Sequence, residues 1–267
     1  MKKYFCIAAA SLLIASCSPY QKALKNEDLA KKYEVGTQMY DAKKYNKAIR
    51  LYEQVTGPYR GKPSAEGLFY RLAMSYYNTK QYYLSSHQFD TFVSAYPTSE
   101  KREEAMFLSA KSYSQLSATY TLDQEDTDTA IDKIQTFINT YPESEYLPEA
   151  NKLMAEMNDK LERKAFEIAK QYNTIIDYTQ SYKAATVALD NFILDYPGTK
   201  YKVDALYLKL DTAYRLALKS VKAKKEERLL DAEKAYNALN RYNSDSKYKG
   251  KADKMLATIK EELELLK

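Results

Sequence analysis

Cys17 has the clearest capacity for chemistry in the sequence, because it is a thiol placed directly after a short apolar run. The chain begins with a pair of lysines, continues with apolar residues over 4–14, and then has two small residues that end at Ser16. This order is typical of a secretory signal peptide that is cut after small residues. The apolar run has eleven residues, fewer than the ~20 that cross a bilayer. We therefore predict that residues 1–16 form a signal peptide.

The four residues 14–17, Ile-Ala-Ser-Cys, resemble the lipobox of bacterial lipoproteins. The resemblance implies that the Cys17 thiol carries a diacylglyceryl group, that cleavage falls between Ser16 and Cys17, and that the new amine is acylated. Each buried methylene contributes ~0.8 kcal/mol, so three acyl chains would anchor the chain firmly. Cys6 leaves with the signal, so no disulfide and no cysteine-based metal site is expected. The alternative is an ordinary cleaved signal with a chance cysteine at its end.

The usual catalytic and metal-binding motifs are missing from the sequence. The single histidine, His87, lies within a predicted helix, and no Gly-x-Ser-x-Gly motif accompanies it. The acidic turn 122–128 offers carboxylate ligands for Ca²⁺, but it lacks the glycine and the closing glutamate of an EF-hand loop. We interpret it as an exposed loop in which Asp128 caps the next helix. We therefore expect no catalytic residue, no metal and no cofactor, and hence a protein that is not an enzyme.

The composition favours a helical chain. Glycine (6) and proline (7) are few for 267 residues, while 27 tyrosines and no tryptophan supply most of the aromatic content. The net charge of +5 is not concentrated on one stretch, because the richest basic run, 219–225, is followed at once by two glutamates. Nucleic-acid binding usually needs a concentrated basic patch, so we expect no nucleic-acid partner.

A motif of the form Phe-x3-Tyr-Pro recurs along the chain and ends at Pro97, Pro142 and Pro197. Proline disfavours helical backbone at the residue before it, so each of these tyrosines marks the end of a helix. Eight residues after each proline comes an alanine. Hydroxyl residues suited to cap the next helix follow each proline: Ser99, Ser144 and Thr199.

The spacing small-x11-small-x3-large-x7-Pro within these segments is similar to the tetratricopeptide repeat. The matching positions, copy by copy, are Gly36, Ala48 and Tyr52; Ala73, Ser85, Phe89 and Pro97; Ala110, Ala130, Ile134 and Pro142; Ala169, Ala185, Leu189 and Pro197; and Ala213, Ala232, Tyr236 and Ser244. The first and last copies lack the closing proline, and the last three have longer turns. The alternative is an irregular helical bundle with chance periodicity.

This resemblance implies an all-α fold, a tetratricopeptide-repeat right-handed α-solenoid of about five helix-turn-helix repeats. We predict a signal peptide over 1–16, a lipidated N-terminal tether over 17–28 and a repeat domain over 29–267. The approximate repeats are 29–62, 66–99, 103–144, 148–199 and 203–246, followed by a C-terminal helix over 247–267.

A lipobox followed by five such repeats resembles the family of the outer-membrane protein assembly factor BamD. The family pattern Tyr-Pro-x-Ser/Thr-x-Tyr-x3-Ala is complete at 141–150 and 196–205, and it lacks its second tyrosine at 96–105. The resemblance implies a scaffold lipid-anchored to the periplasmic face of the outer membrane. Its partners would be the periplasmic domains of the barrel insertase BamA, other assembly-machinery subunits and unfolded β-barrel precursors. The alternatives are a tetratricopeptide lipoprotein adaptor for cell-wall or pilus assembly, and a cell-wall hydrolase.

Stacked helix pairs form a concave surface lined by the first helix of each repeat. Phenol rings on such a surface suit extended peptides with aromatic side chains. The alternative is that these tyrosines only pack between helices or are half-exposed. The candidate groove residues, turned away from the seams at Gly36 and Ala73, are Tyr33, Thr37, Tyr40, Tyr70, Met74 and Tyr77.

Overall fold

The computed structural model describes residues 19–267, which are helical with no strand among them. The signal peptide, its cleavage site at Ser16 and the lipid-attachment residue Cys17 lie outside these described residues. The chain divides into two compact units, of which the first ends at Asn158 and the second begins at Asp159. None of the described helices is both long and apolar enough to traverse a bilayer.

The first unit consists of helices that pair in sequence order. Its helices are α1 Pro19–Lys25, α2 Leu29–Asp41, α3 Tyr45–Tyr59, α4 Glu66–Asn78, α5 Tyr82–Ala95, α6 Arg102–Ser114 and α7 Glu125–Thr140. A 3-10 turn, Pro63–Ala65, precedes α4. The pairs are α2 with α3, α4 with α5, and α6 with α7.

The second unit is also built from paired helices. The remaining helices are α8 Leu147–Thr174, α9 Ile176–Thr179, α10 Tyr182–Asp195, α11 Lys202–Leu218, α12 Lys222–Tyr242 and α13 Lys249–Glu264. The unit boundary falls inside α8. Phe166 and Ala169 of α8 share a core with Leu189 and Phe192 of α10, while α11 pairs with α12. The predicted all-α class is therefore confirmed, and the helices form hairpins of the tetratricopeptide kind.

Small residues lie where the paired helices approach each other. On the second helix of each pair, the small residue and the large residue four positions later are buried together, because both lie on one helix face. The fully buried pairs are Ala48 with Tyr52, Ser85 with Phe89, Ala130 with Ile134, and Ala185 with Leu189. In the last copy Tyr236 is only half-buried. Its hydroxyl donates a hydrogen bond to Asp253 at 2.8 Å.

Replacing Gly36 with alanine should lower the free energy of unfolding by about 1 kcal/mol. An added Cβ would lie 2.9 Å from Cε1 of Tyr52, and that ring is fully buried and closely packed. Overpacking costs ~1–3 kcal/mol and outweighs the ~1 kcal/mol that alanine gains over glycine in a helix. Urea unfolding followed by circular dichroism measures the change. Gly250→Ala is the control, because a Cβ there meets nothing within 4 Å; equal effects from the two variants would contradict the packing.

The prediction that Ser99, Ser144 and Thr199 cap helices was wrong. The next helices begin three residues later, at Arg102, Leu147 and Lys202. Each hydroxyl instead accepts the backbone N–H of the residue two positions on, at 3.0 Å in all three cases. This is a serine/threonine turn, which competes with helix capping for the same hydroxyl.

The prediction for Asp128 was wrong as well. Helix α7 begins at Glu125, so Asp128 lies in its first turn instead of before it. Asp123 is the residue whose carboxylate accepts a backbone N–H there, that of Glu125 at 2.8 Å. The acidic residues of this turn therefore stand at the positive end of the helix dipole, where negative charge is stabilising.

The second tyrosine of the Tyr-Pro motif stacks on an aromatic ring of the preceding repeat. Tyr146 stacks on Phe107 with a centroid distance of 4.8 Å, and Tyr201 stacks on Phe166 at 4.5 Å. In the copy that lacks this tyrosine, Lys101 occupies the position and places its ammonium 5.6 Å from the centre of the Tyr70 ring. The motif therefore links each repeat to the next through ring contacts.

Candidate peptide-binding face on the first two repeats

The six candidate groove residues lie on two successive first helices. Tyr33, Thr37 and Tyr40 are on α2, and Tyr70, Met74 and Tyr77 are on α4; we call this set the tyrosine face. All six are half-buried, so each side chain packs against the helices and also presents part of its surface to solvent. Half-burial is what the simpler alternative for the tyrosines describes, and peptide binding by this face stays a prediction.

Tyr33 is held in place by contacts on two sides. Its ring lies 6.1 Å from that of Tyr52 and 6.0 Å from that of Tyr59, in tilted arrangements. Its hydroxyl accepts a hydrogen bond from Nη1 of Arg71 at 3.0 Å. Thr37 adds a link, because its hydroxyl donates to the Tyr33 carbonyl at 3.0 Å. These contacts fix the ring before any ligand arrives, which lowers the entropy cost of binding.

Tyr70 packs against the hydrophobic core of the second repeat. Its ring makes edge contacts with Phe89 at 6.1 Å and with Phe92 at 5.6 Å. Burial, together with a hydrogen bond to the Glu104 carboxylate, raises the pKa of the Tyr70 hydroxyl far above its ordinary value. The phenol therefore stays neutral at all physiological pH values, and Met74 packs beside it against the same core.

Tyr40 and Tyr77 occupy equivalent turns of the first two repeats. Tyr40 makes an edge contact with Tyr45 at 5.6 Å, and Tyr77 makes the same contact with Tyr82 at 6.0 Å. Burial raises the pKa of Tyr40. Each turn is closed by a lysine in the left-handed conformation, with φ of 57° at Lys43 and 60° at Lys80. Hydrogen bonds of the Schellman type complete both turns.

Charged residues that the sequence analysis missed lie beside the tyrosine face. Arg71 is bound to Tyr33, and Glu104 is bound to Tyr70. Lys111 forms an ion pair with Glu149 at 2.8 Å. Burial lowers the pKa of Lys111, but hydrogen bonds to Glu149 and Tyr77 outweigh it, so the net shift is upward. The face therefore combines neutral phenols with charges of both signs.

One signal in the sequence leads to Lys111. Thr37, Met74 and Lys111 are separated by 37 residues each, so they occupy the same position in three successive repeats. Arg71 has no comparable signal, because its partner Tyr33 lies 38 residues away on another helix. Its role follows from the packing of α2 against α4 alone.

The described residues include those of the catalytic and metal sites considered from the sequence. Across residues 19–267, no group of histidine, cysteine, aspartate and glutamate side chains could hold a metal ion. His87 is exposed and lines a cleft of about 490 Å³ on α5 with Asp90, Thr91 and Tyr96 among others. Neither a nucleophile nor an orienting carboxylate is hydrogen-bonded to the imidazole among the described contacts, so no triad is assembled.

Comparison with known families identifies the chain. The family model YfiO, described as an outer membrane lipoprotein, matches residues 25–179 and 175–265. The chain belongs to the YfiO family of outer membrane lipoproteins. The match spans nearly all of the described residues, and it confirms the resemblance to the BamD family that the sequence predicted. YfiO membership also supports an outer-membrane location and a tetratricopeptide scaffold.

Solved structures similar to this YfiO member are tetratricopeptide proteins. A tetratricopeptide repeat protein from Bacteroides fragilis is 15% identical, with a TM-score of 0.42 over 88% of this chain and 99% of that one. The TPR2AB domain of yeast Sti1, in complex with an HSP90 peptide, is 12% identical, with a TM-score of 0.37 over 87% and 98%. At such TM-scores neither structure bears on the arrangement of repeats here. No curated protein matches the chain.

Proposed function

We propose that the chain is a non-catalytic scaffold of the β-barrel assembly machinery. It is anchored by lipid on Cys17 to the periplasmic face of the outer membrane. It binds the periplasmic domains of the barrel insertase BamA and helps to recruit unfolded outer-membrane protein precursors. The observation that carries this proposal is YfiO membership over nearly the whole described chain, and the tyrosine face supplies a surface for the precursor.

The tyrosine face suits an extended, aromatic-rich peptide for a physical reason. Its rings are partly exposed and are already fixed by Arg71, Tyr45 and Tyr82. Aromatic pairs contribute ~0.5–1.5 kcal/mol beyond the area that they bury, and phenol hydroxyls add hydrogen bonds. A transmembrane β-strand carries aromatic residues near the membrane interface. An unfolded barrel strand therefore offers the rings that this face would bind.

A carboxylate clamp is the less suitable description of the same surface. Such a clamp needs free basic side chains, and three basic groups beside the rings of Tyr33, Tyr70 and Tyr77 are already engaged. Lys101 is paired with Glu104 at 3.1 Å. Arg71 donates to the Tyr33 hydroxyl at 3.0 Å and to the Gly67 carbonyl at 3.3 Å. Lys111 is paired with Glu149. Ring contacts, and not capture of a chain terminus, are thus the principal interaction that we assign to the face.

Photo-crosslinking in cells tests the proposal. A photoreactive amino acid placed at Tyr40 or at Tyr77 should capture barrel precursors, because both side chains are half-exposed on the tyrosine face. Mass spectrometry of the crosslinked products identifies what is bound. Tyr178 is the control position, since it is 90% exposed and lies in the second unit. It should capture few precursors.

Two results would count against the proposal. The first is recovery from Tyr40 and Tyr77 of cell-wall or pilus components in place of barrel precursors, which would favour the adaptor alternative. The second is unchanged amounts of outer-membrane barrels after depletion of the protein, combined with no insertase in pull-downs from solubilised membranes.

A further inference from the structure

Helix α1 joins the predicted lipid-attachment residue directly to the folded body. Tyr20 is 5% exposed and Ala23 is 2% exposed, and they pack in one cluster with Val35 of α2 and Leu51 of α3. The stretch 17–28, predicted as a tether, thus contains a docked helix from Pro19 onward. Residues 19–25 are therefore packed against the first repeat.

The chain between the anchor and this helix is short. Tyr20 follows Cys17 by three residues, and each residue spans at most ~3.6 Å. The Cα atom of Tyr20 therefore lies within about 11 Å of the Cα atom of Cys17. If Cys17 carries acyl chains, the side chains around Tyr20 on the first repeat lie near the membrane surface.

A basic cleft lies beside this ring. Lys43, Lys44 and Lys47 line it together with Tyr45, Asn46, Asn78 and Thr79, and its volume is about 440 Å³. We call it the lysine cleft. Lys47 connects the cleft to α1, because its ammonium lies 5.1 Å from the centre of the Tyr20 ring. The cleft thus lies beside α1, the helix that follows the predicted lipid-attachment residue.

The three lysines of the cleft carry uncompensated charge. All three are exposed, and within residues 19–267 none of them forms an ion pair. Asp41, the nearest acidic residue along the chain, is paired with none of them. By contrast Lys31, on the adjacent helix, is neutralised by Glu34 at 2.8 Å. Exposed ammonium groups that line one cleft and have no carboxylate partner are a suitable site for a phosphate.

We propose that the lysine cleft binds the phosphate-bearing headgroups of anionic phospholipids in the leaflet that holds the Cys17 acyl chains. The placement of the cleft at that leaflet rests on the lipid anchor of the proposed function. A second attachment point beside the anchor limits rotation of the first repeat about the lipid. It therefore fixes the direction in which α2 and α4 are presented at the membrane.

Vesicle co-sedimentation tests this proposal. The mature chain from residue 17 carries Cys17→Ser, which removes the acylation site and leaves the headgroup contacts. It should bind phosphatidylcholine vesicles that contain phosphatidylglycerol and should fail to bind vesicles of phosphatidylcholine alone. Each lysine near an anionic surface strengthens binding by about fivefold. The variant Lys43→Gln/Lys44→Gln/Lys47→Gln should thus lose about 100-fold at low salt.

A matched charge change provides the control. Lys251, Lys254 and Lys260 are exposed and free of ion pairs among the described residues, and they lie on α13 in the second unit. Replacing these three with glutamine should leave binding nearly unchanged. An equal loss of vesicle binding in both variants would show general attraction by net charge and would overturn the proposal that the lysine cleft is the binding site. Full retention of vesicle binding in the cleft variant would overturn the proposal too.

Two further measurements separate headgroup binding from a folding defect and from capture of free phosphate. Because Lys47 contacts Tyr20, the variant Lys43→Glu/Lys44→Glu preserves that contact and should still lose binding, with an unchanged melting curve. Inorganic phosphate added at millimolar concentration should not displace the vesicles; displacement would identify a free phosphate as the ligand and overturn the lipid assignment.

The assay contains neither insertase nor precursor, so its failure leaves the scaffold proposal standing, and failure of the scaffold proposal leaves the vesicle result intact.

Discussion

Replacing Phe92 with alanine should lower the free energy of unfolding of the first unit by about 3–5 kcal/mol. The Phe92 ring is fully buried and lies 5.6 Å from the ring of Tyr70 and 5.3 Å from that of Tyr96. Its removal leaves a cavity beneath Tyr70 and also removes the ring contact with Tyr96, the residue after α5. Urea unfolding measures the loss, and hydrogen exchange followed by mass spectrometry should place it in α4, α5 and α6.

Two substitutions bracket this result. Phe92→Leu retains most of the buried volume and should cost less than about 1.5 kcal/mol. Leu194→Ala removes an aliphatic side chain that is 77% exposed and should change stability by no more than ~0.5 kcal/mol. A loss below ~1 kcal/mol for Phe92→Ala would contradict the packing described for the second repeat.

Replacing Cys17 with serine should transfer nearly all of the protein from salt-washed membranes to the soluble periplasmic fraction. Three acyl chains contribute ~0.8 kcal/mol for each buried methylene, and no described helix could take their place in a bilayer. Salt screens the headgroup attraction of the lysine cleft, and the experiment uses cells depleted of the insertase, so a high-salt wash leaves only the covalent lipid to hold the chain. Fractionation with quantitative immunoblotting measures the transfer.

Cys6→Ser is the matched control for the anchor, because it alters the other cysteine, which the predicted cleavage removes. That variant should remain in the membrane fraction. Mass spectrometry of the N-terminal peptide provides a second readout and should show an acylated Cys17. An unmodified thiol there, or a Cys17→Ser protein that resists the salt wash, would refute the lipid anchor.

The helix pairs were predictable because the signals for them are local. Proline after Tyr96 and Tyr141 ends a helix whatever surrounds it, and the structure ends α5 at Ala95 and α7 at Thr140. The small-and-large pattern reports burial on one face of one helix. This is why pairs such as Ala130 and Ile134 were identified from spacing alone and are fully buried.

The starts of the following helices were not predictable from the same local signals. A serine or threonine hydroxyl can accept the N–H two residues on in a turn, or serve as a cap one residue before a helix. At Ser144 the turn forms, and Tyr146 stacks on Phe107 of the preceding repeat. That ring lies 39 residues earlier, so no short window of sequence contains the contact that accompanies this turn.

The candidate face shows the same division between local and distant information. Helical phase placed Tyr33 and Tyr70 on the exposed side of their helices, and both are half-buried. Phase could not reveal Arg71 as the partner of the Tyr33 hydroxyl, because that bond joins two helices. Peptide binding by this face remains a prediction for the crosslinking experiment.

The sequence by itself determined the helical class, the positions of the helix-ending prolines, the buried small residues and the resemblance to a lipoprotein family. Each of these depends on contacts within one helix or one turn, or on a short motif of residues close together in the sequence. Only the tertiary structure decided that α1 docks on the first repeat, that Arg71 joins the tyrosine face, and that the lysine cleft lies beside Tyr20. These features unite residues from separate helices, and their geometry is set by side-chain packing, which spacing along the chain does not specify.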